Sequence, residues 1–463
     1  MESLRGVRSV NRRSGAGIIF NLLLTALPIG LFYFTYLRFY QDATFFRRGN
    51  LLFALLYGFL VIVFLNVYGA YQVRHFRTRE LMFSFALASA ISNTIMYFVM
   101  CLIASRMLLV WGVLLVTLVQ WVVAMGLYVL TRMLLPKIHP EIPVLFVRED
   151  SDSADELLKK FDLRRTNYTV RDSADSELSS EQLTRAMSHY RTILLGKMDP
   201  DTRAWLMEYC FRTGREALLF PDMTDILVGS ADPTVVGDLL VYNLNTQGSD
   251  MGYLAVKRIV DIVVSALGLV ILSPLLLGVS IAIKRQDGGP VFYRQTRLTR
   301  GGKPFQLIKF RSMIVNAEKG TGAVLAGKED DRITPVGRFI RAARIDELPQ
   351  LWNILKGDMS LVGPRPERPE FYETICREDP EFEYRLKVKA GLTGYAQLFG
   401  KYNTTFADKA KLDLYYIQHA SILWDLQLIF YTLKIIFIRE STEGVENTVS
   451  AAAPVERETQ EIH

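Results

Sequence analysis

Hydrophobic positions crowd the first third of the chain. Four apolar runs, Ile18 to Leu37, Leu51 to Val73, Leu81 to Ile103 and Leu108 to Leu130, contain no Asp, Glu, Lys or Arg. Each is long enough to cross a hydrocarbon core of about 30 Å as a helix. The first run is too long for a removable signal peptide and lacks a small-residue cleavage site, so it reads as a retained span. Arg5, Arg8, Arg12 and Arg13 precede the first run, Arg74, Arg77 and Arg79 separate the second from the third, and Arg132 and Lys137 follow the fourth. The positive-inside bias puts these connections in the cytosol, although Arg38, Arg47 and Arg48 fall on the other side. Residues 1–135 are therefore expected to form a four-helix transmembrane region, with everything after residue 135 on the cytosolic side.

Beyond residue 135 the period changes. In residues 136–250 the apolar runs are short, Val144 to Val147, Thr192 to Leu195 and Ala217 to Phe220. They alternate with helix-like stretches such as Asp199 to Arg212, where Asp199 can cap and Pro200 can open the first turn. This is an α/β pattern. A dinucleotide-binding turn would need glycines after the first strand, where Arg148, Glu149, Asp150, Ser151 and Asp152 stand instead. With no Tyr-x-x-x-Lys pair either, the region is expected to be a degenerate Rossmann-like domain used for packing or regulation.

Residues 251–440 read as a mainly α domain containing a fifth apolar stretch, 262–283. Lys257 and Arg258 precede it, Lys284 and Arg285 follow it, and Ser273-Pro274 lies at its middle. A straight span would put one basic pair on the far side of the membrane. A proline break lets the chain turn back, so a re-entrant hairpin is expected. The later apolar segment 422–438 is interrupted by Trp424, Asp425, Gln427 and Lys434, the pattern of a helix lying in the interface. Residues 441–463, rich in Ser, Thr, Glu, Ala and Pro without apolar period, are expected to be a disordered tail.

Composition sharpens this picture. Apolar residues make up 50% of the chain and the mean hydropathy is +0.17, high for a soluble protein. The three cysteines form no CxxC pair and the five histidines are scattered, so a disulfide framework, a zinc site and a histidine-ligated metal are not supported; any metal should be oxygen-bound. Net charge is only +6, but Lys309 to Arg344 holds eight basic residues against four acids. That points to an anionic ligand or the lipid surface, with no nucleic-acid partner expected.

The chemistry concentrates between Arg344 and Gly357. Leu348, Leu351, Trp352 and Leu355 fall on one helical face, Pro349 is tolerated in a first turn and Gly357 supplies a stop. Asp346 and Glu347 are thus expected to head a helix, where free N–H groups favour anions and a carboxylate can serve magnesium. The competing reading makes Asp346 a plain N-cap and Glu347 a first-turn acid. Lys309-Phe310-Arg311-Ser312-Met313 and Gly363-Pro364-Arg365-Pro366 weigh against it, because they set cations on turn-forming backbone as a diphosphate clamp requires.

These motifs, with Lys257-Arg258-x-x-Asp261, Gly357-Asp358-Met359-Ser360 and Gly391-Leu392-Thr393-Gly394, closely resemble the catalytic domain of the bacterial sugar transferase family, the monotopic phosphoglycosyl transferases. The four spans and the α/β region in front make the chain similar to the long-form members that initiate exopolysaccharide, capsule or O-antigen synthesis. Ala390 stands where the family often has proline. The resemblance implies a UDP-sugar donor and a polyprenyl (undecaprenyl) phosphate acceptor. It also implies a magnesium ion, a multi-pass enzyme of the bacterial plasma membrane with a cytoplasmic catalytic domain, and a homodimer. It makes Asp346 the nucleophile, Glu347 the magnesium ligand, and Lys309, Arg311, Arg338, Arg341 and Arg365 the phosphate binders. Asp261 is expected to pair with Lys257 or Arg258, or to act in catalysis. A polytopic transferase would need more spans, a scaffold with a dead transferase domain would not need Asp346, Glu347 and Arg365, and a fused dehydratase would need the missing glycine loop.

Overall fold

The computed structural model describes residues 15–41, 44–45, 47–73, 76, 78–138, 141–149, 158, 168–244, 251–315, 317, 330–400 and 404–436. The proposed tail, the last two residues of the 422–438 segment and Arg5, Arg8, Arg12, Arg13, Arg74 and Arg77 lie outside them. The chain divides into two compact units, Met1–Asp225 and Ile226–His463.

In the first unit the apolar runs form helices α1 (Gly15–Phe39), α2 (Arg47–Val67), α3 (Thr78–Ala104) and α4 (Trp111–Ile138), each long and apolar enough to cross a membrane. Unlike those of a water-soluble bundle, their outer surfaces are apolar. Leu22, Leu52, Leu102 and Leu118 are exposed, whereas Ser84, Ser92, Asn93 and Gln120 are buried. Asn93 accepts from the Tyr57 hydroxyl at 2.7 Å and donates to Gln120 Oε1 at 2.9 Å and Thr117 Oγ1 at 2.7 Å. Gln120 Nε2 donates to the Pro28 carbonyl at 2.9 Å. All four helices therefore meet in one polar knot, the kind of interhelical bonding that replaces the absent hydrophobic drive in lipid.

The α/β part of this unit holds β1 (Ile142–Arg148), β2 (Tyr168–Asp175), α5 (Ser180–Ser188), β3 (Thr192–Leu195), α6 (Pro200–Thr213), β4 (Glu216–Leu219) and α7 (Met223–Gly229), which runs into the second unit. The strands form a parallel sheet in the order β2-β1-β3-β4. Leu145 and Val147 pack on one face and Val144 and Phe146 on the other, so β1 is apolar throughout. Asp199 caps α6 as expected, accepting from the N–H groups of Asp201 and Thr202, and Gly214 at φ +65° ends the helix.

The second unit begins with the hairpin β5 (Asp232–Val236) and β6 (Leu239–Asn243). After it come α8 (Met251–Asp287), the antiparallel pair β7 (Phe292–Leu298) and β8 (Pro304–Phe310), α9 (Pro335–Ala342), α10 (Gln350–Lys356), β9 (Ser360–Val362) and α11 (Pro369–Glu378). β10 (Gly391–Thr393), paired parallel with β9, then α12 (Tyr395–Phe399), α13 (Phe406–His419) and α14 (Ile422–Ile436) complete it. The motif Lys257-Arg258-x-x-Asp261 fastens α8 to this body. Lys257 pairs with the buried Asp425 of α14, and Arg258 donates to the Ile354 and Leu355 carbonyls at 2.7 and 2.8 Å, closing the C-terminal end of α10. Among the described residues Asp261 has no basic partner, where pairing with Lys257 or Arg258 was one expectation. It is buried and accepts from the Leu361 N–H at 2.9 Å and the Ser360 hydroxyl at 3.1 Å. Asp425 and Lys434, which broke the apolar pattern of α14, are likewise buried, not turned to a polar face.

At Ser273-Pro274 the sequence predicts an interruption, and the structure carries α8 through it as one helix. Pro274 has no N–H for the Val270 carbonyl four residues earlier, but the Ser273 hydroxyl donates to that carbonyl at 2.7 Å and substitutes for the lost bond. Both flanks of the pair rest on the same unit. Leu269 and Leu272 pack on the core of Leu351 and Ile354, and Leu276, Val279 and Ile283 pack around Phe310 and Ile340. Ser273→Ala should therefore lower the thermal unfolding temperature of the full chain in lipid nanodiscs, by the equivalent of about 1–3 kcal/mol for an unpaired apolar-side carbonyl. Ser273→Thr, which keeps the hydroxyl, should not. Equal stability of the two variants would remove this role.

Candidate active site

The site is assembled by a turn, a strand and a loop. Arg344 takes a left-handed conformation, φ +53°, and turns the chain after α9 into the 3₁₀ turn Ile345–Glu347. The two acids thus sit one turn ahead of α10 and do not head it. Asp346 could not cap that helix: the N–H three residues on belongs to Pro349, which has none, and the Leu348 N–H is already given to the Ile345 carbonyl at 3.2 Å. The helical face also differs from expectation. Leu351 and Ile354 are buried with Asn353, whereas Trp352 is 55% exposed.

Asn353 fixes the strand. Its Oδ1 accepts from the Ile308 N–H at 3.0 Å and its Nδ2 donates to the Gln306 carbonyl at 2.7 Å. These bonds dock the edge of β8 on α10 and bring Lys309 to the acids, where Nζ lies 3.2 Å from Glu347 Oε1.

The loop after β9 supplies the second cation. Arg365 Nη2 donates to the same Glu347 Oε1 at 3.1 Å, and its Nη1 to Gln397 Oε1 at 3.3 Å. That loop is backed by the Gly-x-Thr-Gly segment. Gly363 N–H donates to the Thr393 carbonyl at 2.9 Å and Gly391 N–H to the Pro364 carbonyl at 2.8 Å. A Cβ on Gly391 would lie 2.1 Å from Gly363 N, and one on Gly394 would lie 2.1 Å from Gly363 O. Backbone this close leaves no room for a side chain.

The charges separate the two acids. Burial pushes Glu347 toward the neutral form, but Lys309, Arg365 and Arg344 outweigh it and hold its carboxyl well below the usual range. Burial also lowers the affinity of Lys309 for its proton, with Glu347 opposing, and Glu347 raises that of Arg365. Asp346 is pushed up to about 6, first by burial and then by the charge of Glu347, against Lys309, Arg341 and Arg365. Among the described residues its carboxylate makes no hydrogen bond or ion pair. One acid is therefore a fixed anion, and its neighbour is a half-buried carboxylate with free lone pairs.

The other expected phosphate binders are distributed differently. Arg341 is half-buried and within the field of Asp346, but Arg338 on the same helix is exposed and bonds to neither acid. Arg311 is buried and paired with Asp287 at the end of α8. Ser273 and Pro274 lie on α8, exposed. Sequence reasoning missed Arg344, Asn353 and Gln397. Only Asn353 left a trace, as a polar residue inside an apolar helical run.

Among the described residues no three His, Cys, Asp or Glu side chains gather to hold a metal. The donor set nevertheless suits magnesium, which keeps several waters and takes one or two carboxylates plus substrate phosphate. Glu347 Oε2 and the Asp346 carboxylate are the oxygens free for it among the described residues.

Residues 252–439 match the family described as "Bacterial sugar transferase". The chain is 43% identical over 182 residues to the UDP-glucose:undecaprenyl-phosphate glucose-1-phosphate transferase of Caulobacter vibrioides, covering 38% of this chain and 68% of that protein. It is 42% identical over 187 residues to the UDP-N-acetylgalactosamine-undecaprenyl-phosphate N-acetylgalactosaminephosphotransferase of Aeromonas hydrophila, 40% of this chain and 44% of the relative. It is 33% identical over 255 residues to the undecaprenyl-phosphate galactose phosphotransferase of Salmonella typhimurium, 52% and 53% of the two chains. The match thus spans about half the length of the last two relatives.

The raised proton affinity of Asp346 has a stability consequence with a definite sign. Folding favours its neutral form, so the ionised carboxylate opposes folding as pH rises from the unfolded value of 3.8 through about 6. Asp346→Asn should unfold at a higher temperature than the natural protein at about pH 8 and lose most of that advantage by about pH 4. A variant no more stable at the higher pH would contradict the burial and repulsion described above.

Proposed function

The chain belongs to the bacterial sugar transferase family, and we propose that it transfers a hexose-1-phosphate from a UDP-sugar to polyprenyl (undecaprenyl) phosphate, releasing UMP. The observation that carries this reading is the asymmetry of the acid pair. Among the described residues Asp346 keeps an unshared carboxylate while Glu347, one residue on, is held by Lys309 and Arg365. An Asp346 oxygen attacks the phosphorus next to the sugar, and the bond from that phosphorus to the UMP oxygen breaks. An oxygen of the lipid phosphate then attacks the aspartyl-phosphosugar. It forms the diphosphate link and returns the carboxylate.

Arg365 and Lys309 hold the phosphate charge that develops on donor and leaving group, with Arg341 at the edge of the same field. Glu347 and Asp346 would hold magnesium, which supplies charge neutralisation for phosphoryl transfer. The relatives are named for glucose, N-acetylgalactosamine and galactose. These names give three different sugars, and a donor panel read by UMP release decides which one this chain takes.

The acceptor places the reaction at a membrane. We assign the enzyme to the bacterial plasma membrane, multi-pass, with the catalytic unit in the cytoplasm and a second copy of the chain as its partner. In this reading α8 enters the bilayer and returns to the same face, bending at Ser273-Pro274. Support comes from the packing of both flanks of that pair on one unit; the Ser273 hydroxyl bonds the carbonyl that Pro274 leaves without a partner. The active site is thereby held at headgroup depth, where a soluble donor and a lipid acceptor meet. Cysteines introduced near 257 and 285 should be labelled from the same side, and opposite-side labelling would overturn the re-entrant path.

Asp346→Asn should form no covalent adduct with phosphorus-labelled donor and lose about 10³-fold or more in turnover. Glu347→Gln should lose activity together with its response to magnesium. Turnover at the natural rate in Asp346→Asn would remove the covalent route.

A further inference from the structure

The loop that carries Arg365 is fastened by a second, partly buried ion network in which neither acid of the site takes part. Glu367, two residues after Arg365, is approached by two arginines from different elements. Arg297 Nη1 of β7 lies 3.6 Å from its Oε2, and Arg385 Nη1 of the 3₁₀ segment Pro380–Lys387 lies 3.7 Å from its Oε1. Arg385 is itself immobilised. It is buried, donates through Nε and Nη2 to Asp413 Oδ2 of α13 at 3.2 and 2.8 Å, and stacks 4.4 Å from the Phe382 ring centroid.

The backbone of the loop is held by the same neighbours. Arg297 Nη1 donates to the Pro366 carbonyl at 3.0 Å, and the Leu298 N–H donates to the Glu367 carbonyl at 3.1 Å. With the Gly363 and Gly391 bonds at its other end, the segment is tied on both sides of Arg365. Arg365 itself is 44% exposed. A side chain that long and that open is aimed by its backbone as well as by its bonds to Glu347 and Gln397.

Glu367 also supplies negative charge where Arg297, Arg365, Arg368 and Arg385 crowd together. Its carboxylate counters the loss of proton affinity that burial imposes on Arg297. Without it the arginines of β7 and of the Pro380–Lys387 segment would repel the loop they now hold.

We propose that Glu367, clamped between Arg297 and Arg385, is a positioning residue that aims Arg365 at Glu347 and at the phosphate of the donor. The proposal rests on the transfer reading above for the role of Arg365, but not for the clamp itself. Its test is a double-mutant cycle in the full-length protein. Glu367→Gln alone should lower kcat/KM by about 10–100-fold, and added to Arg365→Ala it should cost less than about 2-fold more. Losses that multiply would overturn the proposal, since a residue needed only for folding does not act through Arg365. If Glu367→Gln fails to fold, Arg297→Gln in the same cycle reads the same coupling. Hydrogen exchange of residues 363–368 should rise in Glu367→Gln whether or not any donor is turned over; unchanged exchange would also overturn the clamp. Absence of UMP release by the natural protein from every UDP-sugar would instead sink the transfer reading.

Discussion

A single carboxylate oxygen, Glu347 Oε1, gathers the three pieces on which the candidate site depends. It receives Lys309 from β8 and Arg365 from the loop after β9, and it belongs to the turn that precedes α10. None of these pieces is rigid by itself. β7 and β8 form only a two-stranded ribbon, and β9 and β10 pair over three residues. A charge-assisted contact shared by two cations fixes their mutual distance. The supporting bonds, Asn353 to β8 and the glycine contacts behind Gly363, hold each piece where that contact can form.

The same contact sets the character of its neighbour. Because Lys309 and Arg365 are given to Glu347, Asp346 is left half-buried beside a negative charge and, among the described residues, without a partner of its own. A carboxylate in that position is less stable as an ion than it would be in water, and its lone pairs are uncommitted. The site thus concentrates an electrostatic cost at one residue and offsets it with packing around it.

The membrane-length helix α8 is the spine of the second unit. Lys257, Arg258 and Asp261 attach its first turns to α14, α10 and β9. Its apolar residues on either side of Pro274 pack on two separate cores that share the elements of the site. The position of the helix and the geometry of the acids are thus coupled through α10, whose C-terminal carbonyls are closed by Arg258 and whose Asn353 holds the strand of Lys309.

Much of this was legible in the chain itself. Apolar runs without charge specify membrane-length helices because no other backbone arrangement pairs its own N–H and C=O groups in lipid. Short apolar runs alternating with a capped helix specify the parallel sheet, and Asp199 and Gly214 mark the ends of α6 through purely local bonds. The acid pair, Lys309 and Arg365 stand out as residue types in motifs. Tertiary structure decided what those types do. Only the fold shows that Arg311 turns to Asp287 while Lys309 turns to Glu347, and that Asp261 accepts from the Leu361 N–H and the Ser360 hydroxyl. It also placed Asp346 one turn ahead of the helix it was expected to head. The roles of Asn353, Gln397 and Glu367 depend on partners from 18 to 70 residues away, Gln306, Arg365, Arg385 and Arg297 among them. The physical reason is that helix periodicity and capping act over a few residues, whereas the charge state of a buried carboxylate is set by whichever cations folding brings within a few ångströms.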